Sequence, residues 1–153
     1  MSEMRYTFGL VFGLMLPMAA FAQSSMPIAG AWSLVSLSED HHGQITRPLG
    51  DKPQGQVIYG GHGELSVTLL SGDREKKPGN PLMPVGPAIA YFGTYTVNGD
   101  TITSHVIAST FPNFAGTDQK GTFAVKGDTL TLIREVAGGT EPFTSTLEFT
   151  RIK

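Results

Sequence analysis

The sequence predicts an all-β domain of antiparallel strands, folded as a small barrel. Three observations predict it. From Tyr91 to Leu132, apolar and polar residues alternate on both sides of Asn98-Gly99-Asp100 and again around Lys126-Gly127-Asp128. That is the period-two signature of strands with one wet and one buried face, joined by tight turns. Nineteen glycines and ten prolines suit a chain of short strands and turns better than one of helices. A length of 153 residues is enough for one closed core.

Composition narrows the function classes. The formal charge of -2 arises from 11 basic and 13 acidic residues without a run of one sign. Nucleic acid and anionic membrane surfaces both require a concentrated basic footprint, so neither is an expected partner. Cysteine is absent, which excludes disulfides and thiolate metal sites.

The first segment reads as a targeting signal. Arg5 precedes an uncharged, apolar run from Tyr6 to Met18, and Ala20-Phe21-Ala22 offers small residues at the two positions a signal peptidase reads. Cleavage is expected before Gln23, giving a signal peptide at residues 1–22 and a periplasmic or secreted protein. The apolar run is shorter than the roughly 20 residues that span a bilayer, so no integral membrane segment is expected after cleavage. No cysteine follows it to carry a lipid anchor. Residues 23–29 read as a flexible leader and residues 30–153 as the barrel domain.

Taking the elements in order, Gly30 to Leu37 reads as a first strand with Trp32 and Leu34 on one face. Ser38 to Pro53 is polar and rich in breakers, so a loop is expected, with Glu39-Asp40-His41-His42-Gly43 at its tip. Neighbouring His and carboxylate residues rarely converge on one ion without further ligands, and no metal site is expected there. Gln56 to Tyr59 and Glu64 to Leu70 read as two strands joined through Gly60-Gly61-His62-Gly63. In the second, Leu65, Val67 and Leu69 alternate with Glu64, Ser66 and Thr68, which directs the carboxylate to water. Ser71 to Ala90 breaks the pattern, because four prolines between Pro78 and Pro87 exclude a helix or a central strand. Long connections of this kind tend to be lids or binding loops, and Leu82, Met83 and Val85 are the residues of this one able to lie across a barrel mouth.

The central hairpins permit pairing by arithmetic. With Asn98-Gly99 as a two-residue turn, Val97 opposes Asp100, Tyr95 opposes Ile102, Gly93 opposes Ser104 and Tyr91 opposes Val106. The opposite face carries Thr94, Thr96, Thr101, Thr103 and His105, as on the outside of a barrel, with Phe92 and Ile107 as exceptions. His105 is therefore expected at the surface. The Lys126-Gly127 turn, treated alike, groups Gly121, Phe123, Val125, Leu130 and Leu132 on one face. Gly138-Gly139 turns the chain again. A last strand from Thr144 to Arg151 sends Leu147 and Phe149 inward and Glu148 outward.

Several of these pieces together resemble the bacterial and fungal lipocalin-like domain family, a branch of the calycin barrels. They are Gly30-Ala31-Trp32-Ser33-Leu34-Val35-Ser36, Pro48-Leu49-Gly50, Pro53-Gln54-Gly55, Tyr91-Phe92-Gly93-Thr94-Tyr95, Pro112-Asn113-Phe114-Ala115-Gly116-Thr117, Gly127-Asp128-Thr129-Leu130-Thr131-Leu132 and the closing Arg151. The resemblance implies a closed antiparallel lipocalin-like β-barrel of about eight strands, with Trp32 near one end and Arg151 laid over its ring, both structural. Where the family pattern usually has His and Arg, this chain has Ser104 and Gly121. Both departures take polar bulk from the expected interior and imply a roomier, more apolar pocket.

Motifs for other chemistry are missing. There is no Gly-x-Ser-x-Gly turn for a serine nucleophile, no His-Glu-x-x-His zinc motif and no phosphate-binding glycine loop. No catalytic residue and no cofactor are assigned. The expected function is an exported binding protein with a small apolar ligand inside the barrel. Its lining would come from Tyr91, Tyr95, Val97, Ile102, Ser104, Val106, Phe123, Val125, Leu130, Leu132, Leu147 and Phe149. Apolar burial would drive binding, and the Tyr hydroxyls and Ser104 would orient the ligand. Two alternatives stand beside it: a small isomerase or cyclase of secondary metabolism using an inward Tyr as acid, and a ligand-free barrel acting through its surface.

Overall fold

The computed structural model describes residues 27–83, 85–136 and 141–153. The signal segment at 1–22, most of the leader and the Gly138-Gly139 turn lie outside the described residues. The strands are β1 (Gly30–His41), β2 (Gln44–Thr46), β3 (Gln54–Tyr59), β4 (Glu64–Leu70), β5 (Ala88–Asn98), β6 (Thr101–Ser109), β7 (Asp118–Lys126), β8 (Thr129–Val136) and β9 (Phe143–Arg151). A single 3₁₀ turn at Pro112–Phe114 links β6 to β7. All pairings are antiparallel between sheet neighbours, and β9 returns to pair with β1, closing a barrel. Strand β2 is outside the cycle and pairs only with the end of β1. The remaining eight form an up-and-down barrel with no open edge around its waist.

Alternation fills the inside. Leu65, Val67 and Leu69 of β4, Ile102, Ser104 and Val106 of β6, Leu130 and Leu132 of β8, and Leu147 and Phe149 of β9 are buried, while Glu64, His105 and Glu148 between them are exposed. His105 Nδ1 lies 2.8 Å from Asp118 Oδ1 on the outer surface.

Three expectations are corrected. First, the polar stretch after Leu37 is not a loop at its start: β1 runs on to His41, turns through His42-Gly43 and returns as β2. His42 and Gly43 both have positive φ, and the Gly43 amide donates to Asp40 Oδ1 at 2.6 Å, which satisfies this tight turn locally. Second, the hairpin registers slip by two. The β5–β6 loop is Gly99-Asp100, with Asn98 opposite Thr101, Val97 opposite Ile102 and Tyr95 opposite Ser104. Only Gly99 has positive φ there, so glycine takes the first loop position, and Gly127 does the same between Lys126 and Thr129. A slip of two leaves every side chain on its expected face. Third, Leu82, Met83 and Val85 stay exposed and do not cover the mouth.

Two bulges adjust the phase. Pairing of β1 with β9 skips Val35, so Trp32 and Leu34 point inward before it and Leu37 after it. Ile107 is skipped where β6 pairs with β5, which sets Tyr91 opposite Ser109 instead of Val106. Each bulge inserts one unpaired residue and increases the local twist.

One end of the barrel is plugged. Ile28 and Trp32 are fully buried, and Trp32 Nε1 donates to the Ile28 carbonyl at 2.8 Å. The Arg151 guanidinium carbon stands 4.0 Å from the Trp32 ring centroid. Its Nη1 and Nη2 donate to the carbonyls of Ala29 at 3.0 Å and Pro27 at 3.1 Å. The packed domain therefore begins before Gly30, since Ile28 is part of the core and was expected in a flexible leader.

Candidate functional site

The register places the ends of β1, β4, β6 and β8 and the starts of β3, β5, β7 and β9 at the end away from Trp32. A cavity of about 150 Å³ opens to solvent inside the barrel. Val57, Val67, Leu69, Leu132, Leu147 and Phe149 make much of its wall, with Leu37, Ile89, Phe114, Val136 and Phe143 beside them. Phe114 is delivered by the 3₁₀ turn, where Pro112 fixes the backbone, and its ring meets the Tyr91 ring edge-on at 6.2 Å.

Of the residues expected to line the interior, Tyr91, Leu132, Leu147 and Phe149 face this cavity. Tyr95, Val97, Ile102, Ser104, Val106, Phe123, Val125 and Leu130 do not border it; they belong to, or pack against, the filled part of the barrel. Tyr95 uses its hydroxyl structurally, donating to the Gly60 carbonyl at 2.8 Å and packing edge-on against Tyr59 at 5.0 Å. Ser104 is fully buried and its Oγ has no hydrogen-bond partner.

The cavity also holds polar groups that the sequence reading missed: Glu39, Tyr59, Gln119, Arg134 and Ser145. Arg134 is the most consequential. It lies on β8 in phase with Leu130 and Leu132, so alternation carries it inward. Thr122 opposite Ile133 sets Gly121 beside it, and a Cβ built on Gly121 would come within 2.7 Å of Arg134 Cγ. Gly121 thus makes room for the arginine stem. The expectation that Ser104 and Gly121 leave a roomier, more apolar pocket is corrected in one respect: the space at Gly121 is taken by the arginine stem.

Arg134 Nη1 donates to Tyr91 Oη at 2.8 Å, and its Nε is shielded from solvent without a partner. Among the described residues no carboxylate forms an ion pair with it. Burial works against its charge, but contact with the Tyr91 and Tyr59 hydroxyls raises its pKa, and a guanidinium in any case keeps its proton in proteins. Tyr59 is buried beside Arg134, and the proton of its Oη has no acceptor. Burial raises its phenol pKa, and Arg134 offsets only part of that rise, so Tyr59 keeps its proton. Glu39 is turned inward by the Val35 bulge, and its carboxylate lies 3.3 Å from His41 Nε2. Gln119 Nε2 donates to Thr117 Oγ1 at 2.8 Å. Among the described residues there is no group of three or more His, Asp or Glu able to hold a metal ion, and no helix long and apolar enough to cross a membrane.

An antiparallel barrel, plugged at one end by an Arg-capped Trp and hollow toward the other, defines the class of calycin-like barrels with an interior site. Within that class, the family model described as a lipocalin-like domain matches residues 29–152, and the chain belongs to that family. Comparison with curated proteins finds no match.

Proposed function

We propose that this is an exported protein that takes a small, largely apolar ligand into the barrel. The observation that carries the reading is the cavity of about 150 Å³, open to solvent and walled mainly by aliphatic and aromatic side chains. A dry cavity of about this volume accommodates a benzene-sized molecule, and an open mouth lets a longer one extend outward. Burying about 200 Å² of apolar ligand surface at roughly 25 cal/mol per Å² gives about 5 kcal/mol before association costs. After those costs, apolar burial alone supports an affinity no tighter than the millimolar range, and polar contacts are needed to improve on it. Export rests on the charged start, apolar run and Ala20-Phe21-Ala22 of the first segment.

The test is direct. N-phenyl-1-naphthylamine, an uncharged fluorophore, is titrated into the protein, and native mass spectrometry of gently purified material looks for a retained small molecule. Saturable fluorescence enhancement that Leu132→Trp abolishes by filling the cavity is the expected result. Failure to bind the fluorophore, together with a clean apo mass in repeated preparations, would overturn the reading.

A further inference from the structure

We infer that the ligand carries a carboxylate, and that Arg134 receives it inside the barrel with Tyr59 as a second donor. The inference rests on the binding reading above and deepens it. A guanidinium held in a largely apolar cavity without a direct ion-pair partner is costly, because its desolvation is incompletely compensated. Arg134 donates to one neutral partner, the Tyr91 hydroxyl, and lies against a second, Tyr59, while its Nε–H meets hydrogen-bond geometry with neither. The guanidinium fork matches a carboxylate with two parallel N–H···O bonds, a geometry that an ammonium cannot reproduce. Tyr59 Oη, beside Arg134 in the same cavity, is a buried hydroxyl whose proton has no acceptor. Unpartnered atoms of this kind on two facing side chains are what a bound oxyanion satisfies.

The rest of the lining agrees with an anionic head on an apolar body. Glu39 is the acidic group on the same cavity: it and Arg134 both pair with Ser145 and so stand at one level with β9 between them, but no ion pair joins them, and His41 sits against the Glu39 carboxylate. It repels a carboxylate from its own side and so favours the Arg134 side. Gln119 has its amide nitrogen committed to Thr117. Val57, Val67, Leu69, Leu147 and Phe149 offer no charge and fit a ring or short chain.

Calorimetric titration of the protein with benzoate and octanoate, set against benzamide and 1-octanol, separates the charge from the body of the ligand. Each acid is expected to bind at least about tenfold more tightly than its uncharged partner, as a charge-assisted bidentate contact implies. In Arg134→Met that ratio should collapse to about one, and in Tyr59→Phe it should fall several-fold. Arg134→Lys keeps the charge without the fork and should retain only part of the preference, so it keeps the comparison alive if the Met variant does not fold. Equal binding of charged and uncharged partners by the unaltered protein overturns the inference while leaving a neutral-ligand carrier. Loss of both in equal proportion in Arg134→Met also overturns it, because Arg134 would then only hold the wall in shape. Absence of binding by all four, and by the uncharged naphthylamine, brings down the binding reading itself.

Discussion

Replacing Arg151 by Met should loosen the plugged end of the barrel by about 2–3 kcal/mol. The guanidinium lies 4.0 Å from the Trp32 ring and donates to the Ala29 and Pro27 carbonyls at 3.0 and 3.1 Å. A cation on an aromatic face contributes about 0.5–2 kcal/mol. Hydrogen bonds from a charged donor contribute about 1.5–3 kcal/mol each when buried, but the Pro27 contact is exposed and its share is smaller. Met preserves the stem that lies along the indole. The backbone of β9 is untouched, because Arg151 N still donates to the Asp128 carbonyl and Ile152 N to the Ala31 carbonyl. The loss is therefore confined to the plug. Since Trp32 is the only tryptophan in the chain, its emission reports that end specifically. Urea denaturation followed by Trp32 emission should show a lower midpoint and a red-shifted native spectrum, as water reaches the indole once Pro27–Ala29 lifts. Arg151→Lys should recover no more than about half, since a single ammonium cannot cover the ring and reach both carbonyls. A loss below about 0.5 kcal/mol, with an unshifted spectrum, would refute the assignment of Arg151 to closing the barrel.

Other perturbations follow from the same geometry. Gly121→Ala should destabilise by about 1–3 kcal/mol, because its Cβ would approach the Ile133 carbonyl oxygen to 2.6 Å and Arg134 Cγ to 2.7 Å; combining it with Arg134→Ala in a thermal double-mutant cycle should recover part of that cost, and strict additivity would show that the arginine stem does not occupy the space. Ser104→Ala should be neutral or stabilise by up to about 1 kcal/mol, since it removes a fully buried hydroxyl without a partner; a clear loss in chemical denaturation would reveal a hidden hydrogen bond. The raised pKa of Tyr59, caused chiefly by burial, has a definite sign for stability. The unfolded chain releases this proton from about pH 10 upward while the folded chain keeps it, so stability is full below that pH and declines above it. Tyr59→Phe should remove this part of the alkaline decline, and identical slopes for the two proteins between about pH 9 and 11 would contradict the burial.

Much of the fold was legible because a barrel is written in alternation. Strands β4, β6, β8 and β9 carry clean period-two patterns, and their buried residues are those the pattern sends inward. Register was less so: Asn98-Gly99 favours one loop, yet glycine at the first position of Gly99-Asp100 serves the neighbouring loop equally well. The cavity was the hardest part. Which inward residues face open space and which fill the barrel depends on three-dimensional taper, so Ile102 and Leu132 look alike in sequence and differ in role. Arg134 had a signal, being a charge in step with Leu130 and Leu132 opposite a residue without a side chain. Glu39 had none, because a bulge at an ordinary valine reverses the inward phase without any glycine or proline to announce it.

That reversal also makes the effect of a length change in the first strand depend on where it falls. Deleting Val35 would remove the bulge and keep Ser36 opposite Glu148 and Leu37 opposite Leu147, so Leu37 and Glu39 would stay inward; deleting Ser38 would instead turn Glu39 outward and Asp40 toward the interior. Single amino-acid exchanges along this stretch cost at most a local contact. A deletion beyond the bulge instead turns over the part of this strand that borders the cavity, whereas the bulge itself can lose its extra residue with the ladder intact.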